Sequence, residues 1–187
     1  KEEMQEKYPD AEICVFDSIC ASGGHGLLIY HAIENKKKGM SVKENMQALE
    51  ELKHRIVHKF TVDDLTYLQR GGRISKTAAV IGGMIQLKPV LHVDTEGRLA
   101  AESKVRGRKK ALNQLLAEMD ICTGGYADKQ DVVLICHADC PEDAEYVRAK
   151  VEEKYHPNKI IMSEVGPIVG AHVGPGTMVL IFEGDKR

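Results

Sequence analysis

Tryptophan is absent from this chain, and only 5% of its residues are aromatic. Surfaces on which nucleic-acid bases stack are therefore scarce. An excess of one charge is also lacking, since 26 Lys and Arg stand against 28 Asp and Glu, a net charge of -2. That balance argues against a dedicated nucleic-acid binder. No apolar run approaches the roughly 18 residues of a membrane-spanning helix, and no charged segment leads into an apolar one as in a secretory signal. Internal repeats and low-complexity linkers are missing too. The five cysteines, Cys14, Cys20, Cys122, Cys136 and Cys140, are odd in number and irregular in spacing. They point to reduced thiols in a cytoplasmic protein rather than to a disulfide framework. Cys136 and Cys140 enclose His137, but no second cysteine pair follows at zinc spacing, so no metal site and no cofactor are expected. The nucleophile-elbow, HExxH, Walker and GxGxxG patterns are all lacking.

What is present is an ordinary globular composition, 43% hydrophobic and 29% charged over 187 residues. That length supports one or two domains burying about 70% of the extended surface. The chain opens without Met, in helix formers from Lys1 to Lys7 that stop at Pro9. This reads as the tail of a helix belonging to a longer chain. Residues 12–17 read as a buried strand. A glycine turn at Ser22-Gly23-Gly24-His25-Gly26 follows, then a helix ending at Lys36-Lys37-Lys38-Gly39. Ser41 and Glu44 form a capping box for a second helix.

The pattern changes near residue 58. Thr61 to Asp64 predicts another capping box, opening a short helix that ends at Arg70-Gly71-Gly72-Arg73. Ser75 caps an apolar helix over 77–85. Residues 88–93 and 98–105 read as paired strands about a turn at 94–97. A basic stretch at 106–110 opens the next helix, 131–137 is a buried strand, and a helix runs to Lys154. Strands are expected at 159–163, 168–173 and 178–182. The expected fold class is α/β, with a mixed sheet carrying helices on one face.

Four stretches invite chemistry. Asp17-Ser18 and Ser22 to Gly26 place a strand end, hydroxyls and glycines before a helix N-terminus, which suits a phosphate or carboxylate. A plain glycine loop with Ser22 as N-cap is equally open. Arg70 and Arg73 flank a turn able to clamp an anion, or they are solvated arginines at a helix end. Lys104 to Lys110 puts five cations at a helix start, which the helix dipole disfavours unless an anionic partner compensates. Gly170-Ala171-His172-Val173-Gly174-Pro175-Gly176-Thr177 sets one histidine between small residues and a rigid turn, either as a ligand-facing group or as a structural one.

In this order, the four stretches resemble the DegV family of bacterial fatty-acid-binding proteins. The match is carried by Asp17-Ser18 with Ser22 to Gly26, by Tyr67 to Ile74, by Leu87 to Ala111, and by Gly170 to Thr177. The resemblance implies two α/β domains, here a partial first domain over 1–57 and a complete second over 58–187. It implies a long-chain fatty acid held between them. It also implies presentation of the carboxylate to a separate fatty acid kinase subunit, with no catalysis by this chain. By position it suggests Ser22, Ser18, Gly23, His172 and Thr177 around the carboxylate, and Arg106, Arg70 and Arg73 in partner or anion contact. His25 stands where the family commonly has glycine. A preceding segment of about 80–100 residues, carrying a further hydroxyl for the carboxylate, is expected on family proportions. The competing expectations are a phosphate-binding phosphotransferase-like enzyme and a regulatory interaction domain without ligand.

Overall fold

The structure, a computed structural model, describes residues 1–74 and 87–187. The helix expected over 77–85, with its Ser75 cap, lies outside the described residues. In chain order the elements are α1 (Glu2–Lys7), α2 (Ser22–Lys37), α3 (Val42–Leu52), β1 (Ile56–Thr61), α4 (Leu65–Arg70), β2 (Leu87–Val93), β3 (Leu99–Arg106), α5 (Arg108–Thr123), β4 (Val132–Ala138), α6 (Pro141–Tyr155), β5 (Lys159–Glu164), α7 (Pro167–Val173) and β6 (Thr177–Glu183). Short 3-10 turns precede β1 and follow α5.

The six strands form one mixed sheet in the order β3-β2-β1-β6-β4-β5. The β4–β5 pair is parallel, with α6 as its crossover, and every other pair is antiparallel. The period-two rule splits each strand between two faces. Val57, Val133, Ile135, Leu180 and Phe182 face Leu112, Leu115 and Met119 of α5 and Val147 and Val151 of α6. On the opposite face, Ile56, Leu134, Cys136 and Ile181 meet Leu27 and Leu28 of α2 and Leu49 and Leu52 of α3. Further along that face, Phe60 and Leu91 meet Leu65 and Leu68 of α4 and Val173 of α7. The expectation of helices on one face is therefore corrected, because both faces carry apolar side chains that only helices from each side bury. The expected division at 57/58 falls inside β1, and α2 and α3 pack on the same sheet as the later elements.

Four local readings are also corrected. Residues 12–17 form no strand, because no described residue supplies a ladder partner, and Val15 is 70% exposed. Conversely, Ile56–Thr61 is a fully buried inner strand whose apolar run is broken by His58 and Lys59. Thr61 belongs to that strand, and Asp64 caps α4 instead, its carboxylate accepting from the Thr66 N–H at 2.8 Å. Residues 168–173 are helical. Pro167 sits at the first helical position after an extended Gly166, and Val169 and Val173, four apart, join Val165 in one apolar cluster. The Ser41–Glu44 capping box forms as expected, with both reciprocal bonds present.

Lys59 is the largest buried polar feature. It is 2% exposed, and its ammonium lies 2.8 Å from both carboxylate oxygens of Glu102. A register shift in the β2–β3 ladder at Val90/Leu91 leaves Glu102 as the extra residue of β3. Such a bulge re-aims a side chain, here toward the lysine.

Candidate ligand-binding site

The site is built where α2 descends onto the sheet. Asp17 accepts from the Ile19 N–H at 3.0 Å and closes a tight turn. Ile19 (φ 46) and Ser22 (φ 50) both adopt the left-handed conformation. For a β-branched residue such as Ile19 that conformation is strained, and strain of this kind concentrates at binding loops. The loop is held from outside. The Arg187 guanidinium donates to the Lys53 carbonyl at 2.8 Å and to the Ile19 carbonyl, and it approaches the Cys20 sulfur at 3.5 Å. Burial raises the Cys20 thiol pKa above its ordinary value, with Arg187 opposing that shift.

Ser18 is buried and serves this loop. Its hydroxyl donates to the Cys20 carbonyl at 3.1 Å, accepts from the Cys20 N–H at 3.3 Å, and lies 3.2 Å from Nδ1 of His25. Ser22 is exposed at the first turn of α2, whose N-cap is Ala21, not Ser22. The Ala21 side chain does not cap that helix end; the Gly24 N–H donates to the Ala21 carbonyl at 3.1 Å, and the positive end of the dipole falls beside Ser22. The next two residues touch the sheet. A Cβ on Gly23 would lie 2.7 Å from both Cys136 Sγ and Ile181 Cδ1. A Cβ on Gly24 would lie 1.9 Å from Nε2 of His58. Only glycine permits this approach. Burial raises the Cys136 thiol, and the Gly23 N–H and the Ser22 hydroxyl, both near its sulfur, act against the shift.

His58 lies mid-strand on the same face, 3% exposed, with neither ring nitrogen hydrogen-bonded. The backbone at Ala21 and Ile56 approaches the ring without reaching hydrogen-bond geometry. Burial first, and the Arg187 charge second, push its pKa down to about 4. Nothing around His58 in the sequence looks like a motif. The available signal was a histidine and a lysine adjacent inside an apolar run.

The second half of the site gathers at the C-terminal end of β4. The Gly176 N–H donates to the Ala138 carbonyl at 2.7 Å, fixing the Gly174-Pro175-Gly176 turn there. Gly174 (φ 77) lies against the Tyr67 ring and Gly176 (φ 73) against Asp63, so each glycine serves a close approach. His172 packs on the arginine–glycine turn, since a Cβ on Gly71 would lie 2.2 Å from its Nδ1. That Nδ1 is buried without a partner. Two stretches some hundred residues apart in sequence thus meet at His172. Thr177 is fully buried, and its hydroxyl is shared between the carbonyls of Val173 (3.0 Å) and Gly174 (2.8 Å), capping the end of α7. Val165 and Val179 pack in both apolar clusters of this face, connecting the α2 side to the α4–α7 side. Ser22 and Gly23 therefore lie over the same sheet face as His172.

Arg70 and Arg73 flank the turn on which His172 packs. Arg70 is exposed on the last turn of α4, and Arg73 folds back to donate to the Gly71 carbonyl. Arg106 is exposed at the end of the edge strand β3, opposite Leu87. Arg108 is tied to Asp143 at 2.6 Å and Asp63 at 3.4 Å. Those residues, with Lys88, Asp64 and Asp139, line a charged recess of about 390 Å³ beside the Gly174–Gly176 turn. No group of three metal-ligating side chains occurs among the described residues, and no helix there is long and apolar enough to cross a membrane.

A mixed sheet covered on both faces, with a glycine-rich helix start and a histidine–glycine turn over the same face, defines an α/β protein. A family model described as an uncharacterised protein of the DegV family matches residues 2–185. A DegV domain-containing protein of Clostridium perfringens is 42% identical over 187 residues, covering 100% of this chain and 64% of that one. A fatty-acid-binding DegV family protein from Thermus thermophilus superposes with a TM-score of 0.82 at 27% identity, covering 97% of this chain and 64% of that one. The Streptococcus pneumoniae fatty acid kinase B3 protein, loaded with linoleic acid, shares the fold, with a TM-score of 0.88 at 21% identity, covering 98% and 64%. The chain belongs to the DegV family. It spans slightly under two thirds of the length of these relatives.

Proposed function

We propose that this chain carries the carboxylate site of a protein that binds a long-chain fatty acid and presents the acid group to a separate kinase subunit. The observation that supports it best is that the Ser22–Gly23 helix start and His172 lie over the same sheet face, with Val165 and Val179 belonging to the apolar clusters under both. Transfer of an alkyl tail from water yields about 0.8 kcal/mol per methylene, so the tail supplies affinity. The acid group must then be hydrogen-bonded where it is dehydrated. The positive end of the α2 dipole and the Ser22 hydroxyl meet that need without a strong ion pair, leaving an oxygen open to phosphorylation. The DegV relatives named above for fatty acid binding and for fatty acid kinase support the same reading. In it, phosphoryl transfer belongs to the kinase, and Arg106, exposed at the sheet edge, contributes to the partner surface.

Organic extracts of the purified full-length protein should contain a long-chain fatty acid by mass spectrometry. Ser22→Ala should weaken fatty acid binding about tenfold or more, the cost of one hydrogen bond to a charged group. Arg106→Ala should leave that affinity unchanged and lower acyl phosphate formation with the kinase subunit. Absence of lipid, together with binding of a phosphorylated small molecule, would favour a phosphotransferase-like enzyme instead. Binding of neither would leave a regulatory interaction domain.

A further inference from the structure

We propose that His58 is a positioning residue for the carboxylate site, its ring setting how low the first turn of α2 sits on the sheet and confining residue 24 to glycine. The inference rests on the fatty-acid reading above and deepens it. Two consecutive glycines are seated on polar side chains from two different strands, Gly23 on Cys136 of β4 and Gly24 on His58 of β1. The contact at Gly24 is the closer. An added Cβ would fall 1.9 Å from Nε2, 2.4 Å from Cε1 and 3.1 Å from Cδ2, so the whole ring edge lies beneath that residue. The ring itself has no freedom to retreat. It is 3% exposed, rises from an inner strand, and stands between Ile56 and Phe60, which pack in the two flanking clusters.

A purely structural histidine in a core normally has its ring nitrogens hydrogen-bonded, because burying them unmet is costly. Here the backbone at Ala21 and Ile56 approaches the ring without reaching hydrogen-bond geometry, and Nε2 is directed at the helix turn that carries Ser22. A leucine at this position would bury apolar surface without that cost. A flat ring, however, brings the helix start close to the sheet while presenting no branched carbon to Gly24. The height and tilt of that turn decide where the positive end of the helix dipole and the Ser22 hydroxyl sit. His58 thus acts on the ligand through α2 and touches the reacting group only indirectly.

The experiment compares hexadecanoate with hexadecanol, which has the same tail and no carboxylate, on the full-length protein. The variants are Gly24→Ala, His58→Ala and the pair combined, and thermal unfolding is followed on each. Gly24→Ala should lower hexadecanoate affinity about tenfold or more, while hexadecanol changes about threefold or less. Adding His58→Ala to Gly24→Ala should restore hexadecanoate binding to that of His58→Ala alone, the non-additivity expected of a direct contact. If Gly24→Ala does not fold, His58→Ala by itself should weaken hexadecanoate more than hexadecanol. Equal losses for both ligands, or strict additivity of the two substitutions, overturns the proposal while wild-type binding keeps the fatty-acid reading. A wild-type protein that binds neither ligand overturns both.

Discussion

Glu102→Ala should lower the unfolding free energy by about 3 kcal/mol, because it strands a buried ammonium without its partner. Lys59 is 2% exposed, while the Glu102 side chain is about a quarter exposed. The two carboxylate contacts, both at 2.8 Å, are the only ones recorded for the Lys59 ammonium among ion pairs of the described residues. The sulfur of Cys122 also lies beside that ammonium, but a thiol is a poor counter-charge. The pair itself need not be a net stabiliser. Desolvating two charges costs several kcal/mol, which good geometry offsets only in part. Replacing both partners by apolar residues, Lys59→Met with Glu102→Leu, should therefore restore most of the lost stability. Urea unfolding of the single and double variants separates the cases. A Glu102→Ala protein within about 0.5 kcal/mol of the wild type, the spread usual for a surface substitution, would show that the ammonium finds water or another partner.

The second large effect is on acid stability and comes from His58. Its pKa lies near 4 in the folded chain against an ordinary 6.5. The native state therefore binds this proton less readily than the unfolded state. Above pH 6.5 both states carry neutral imidazole and the group contributes nothing to the pH dependence. As pH falls from 6.5 toward 4, only the unfolded chain takes up the proton, and stability drops. Below about 4 both are charged and the loss is complete, about 3 kcal/mol at 1.36 kcal/mol per pKa unit. His58→Gln removes the titration and should flatten that limb of the stability curve. The check is the difference between wild type and variant in urea unfolding at pH 7 and pH 4.5. Parallel curves would show that His58 is solvated or already partnered. Below about pH 4 the charge on the ring would also sit beneath the positive end of α2 and near Arg187, so acid should loosen the binding loop together with the fold.

Much of the fold was legible in local signals. The capping box at Ser41 and Glu44, the hairpin about 94–97, the buried run at 132–138 and the proline-started helix at 141 are specified within a few residues, and each forms as expected. The misread segments are those whose state depends on neighbours far away. Residues 12–17 have the apolar content of a strand but no ladder partner among the described residues, and backbone groups adopt strand geometry only when another strand satisfies them. Residues 167–173 have a β-like composition. Their apolar residues, however, are spaced by four against the α4 cluster, and burial favoured the helix. Residues 56–61 do not look like a strand because a histidine and a lysine interrupt the run, and both are accommodated through tertiary contacts, with Gly24 and Glu102.

The candidate site divides in the same way. The glycine loop before α2, the His172 turn and the arginine–glycine turn are legible as clusters of glycine; Gly72, Gly174 and Gly176 answer a left-handed backbone, whereas Gly23 and Gly24 answer a close approach to the sheet. Their order along the chain carried the resemblance to the family. Only the tertiary structure decided which of those residues share a floor. It set Ser22 and Gly23 on Cys136, placed His172 on Gly71, and committed the Thr177 hydroxyl to the end of α7. It also put His58 beneath Gly24, a contact between positions 34 residues apart that no spacing rule encodes. The physical reason is that turns are set by local dihedral preferences, whereas the distance between two side chains on a sheet is set by strand order and register.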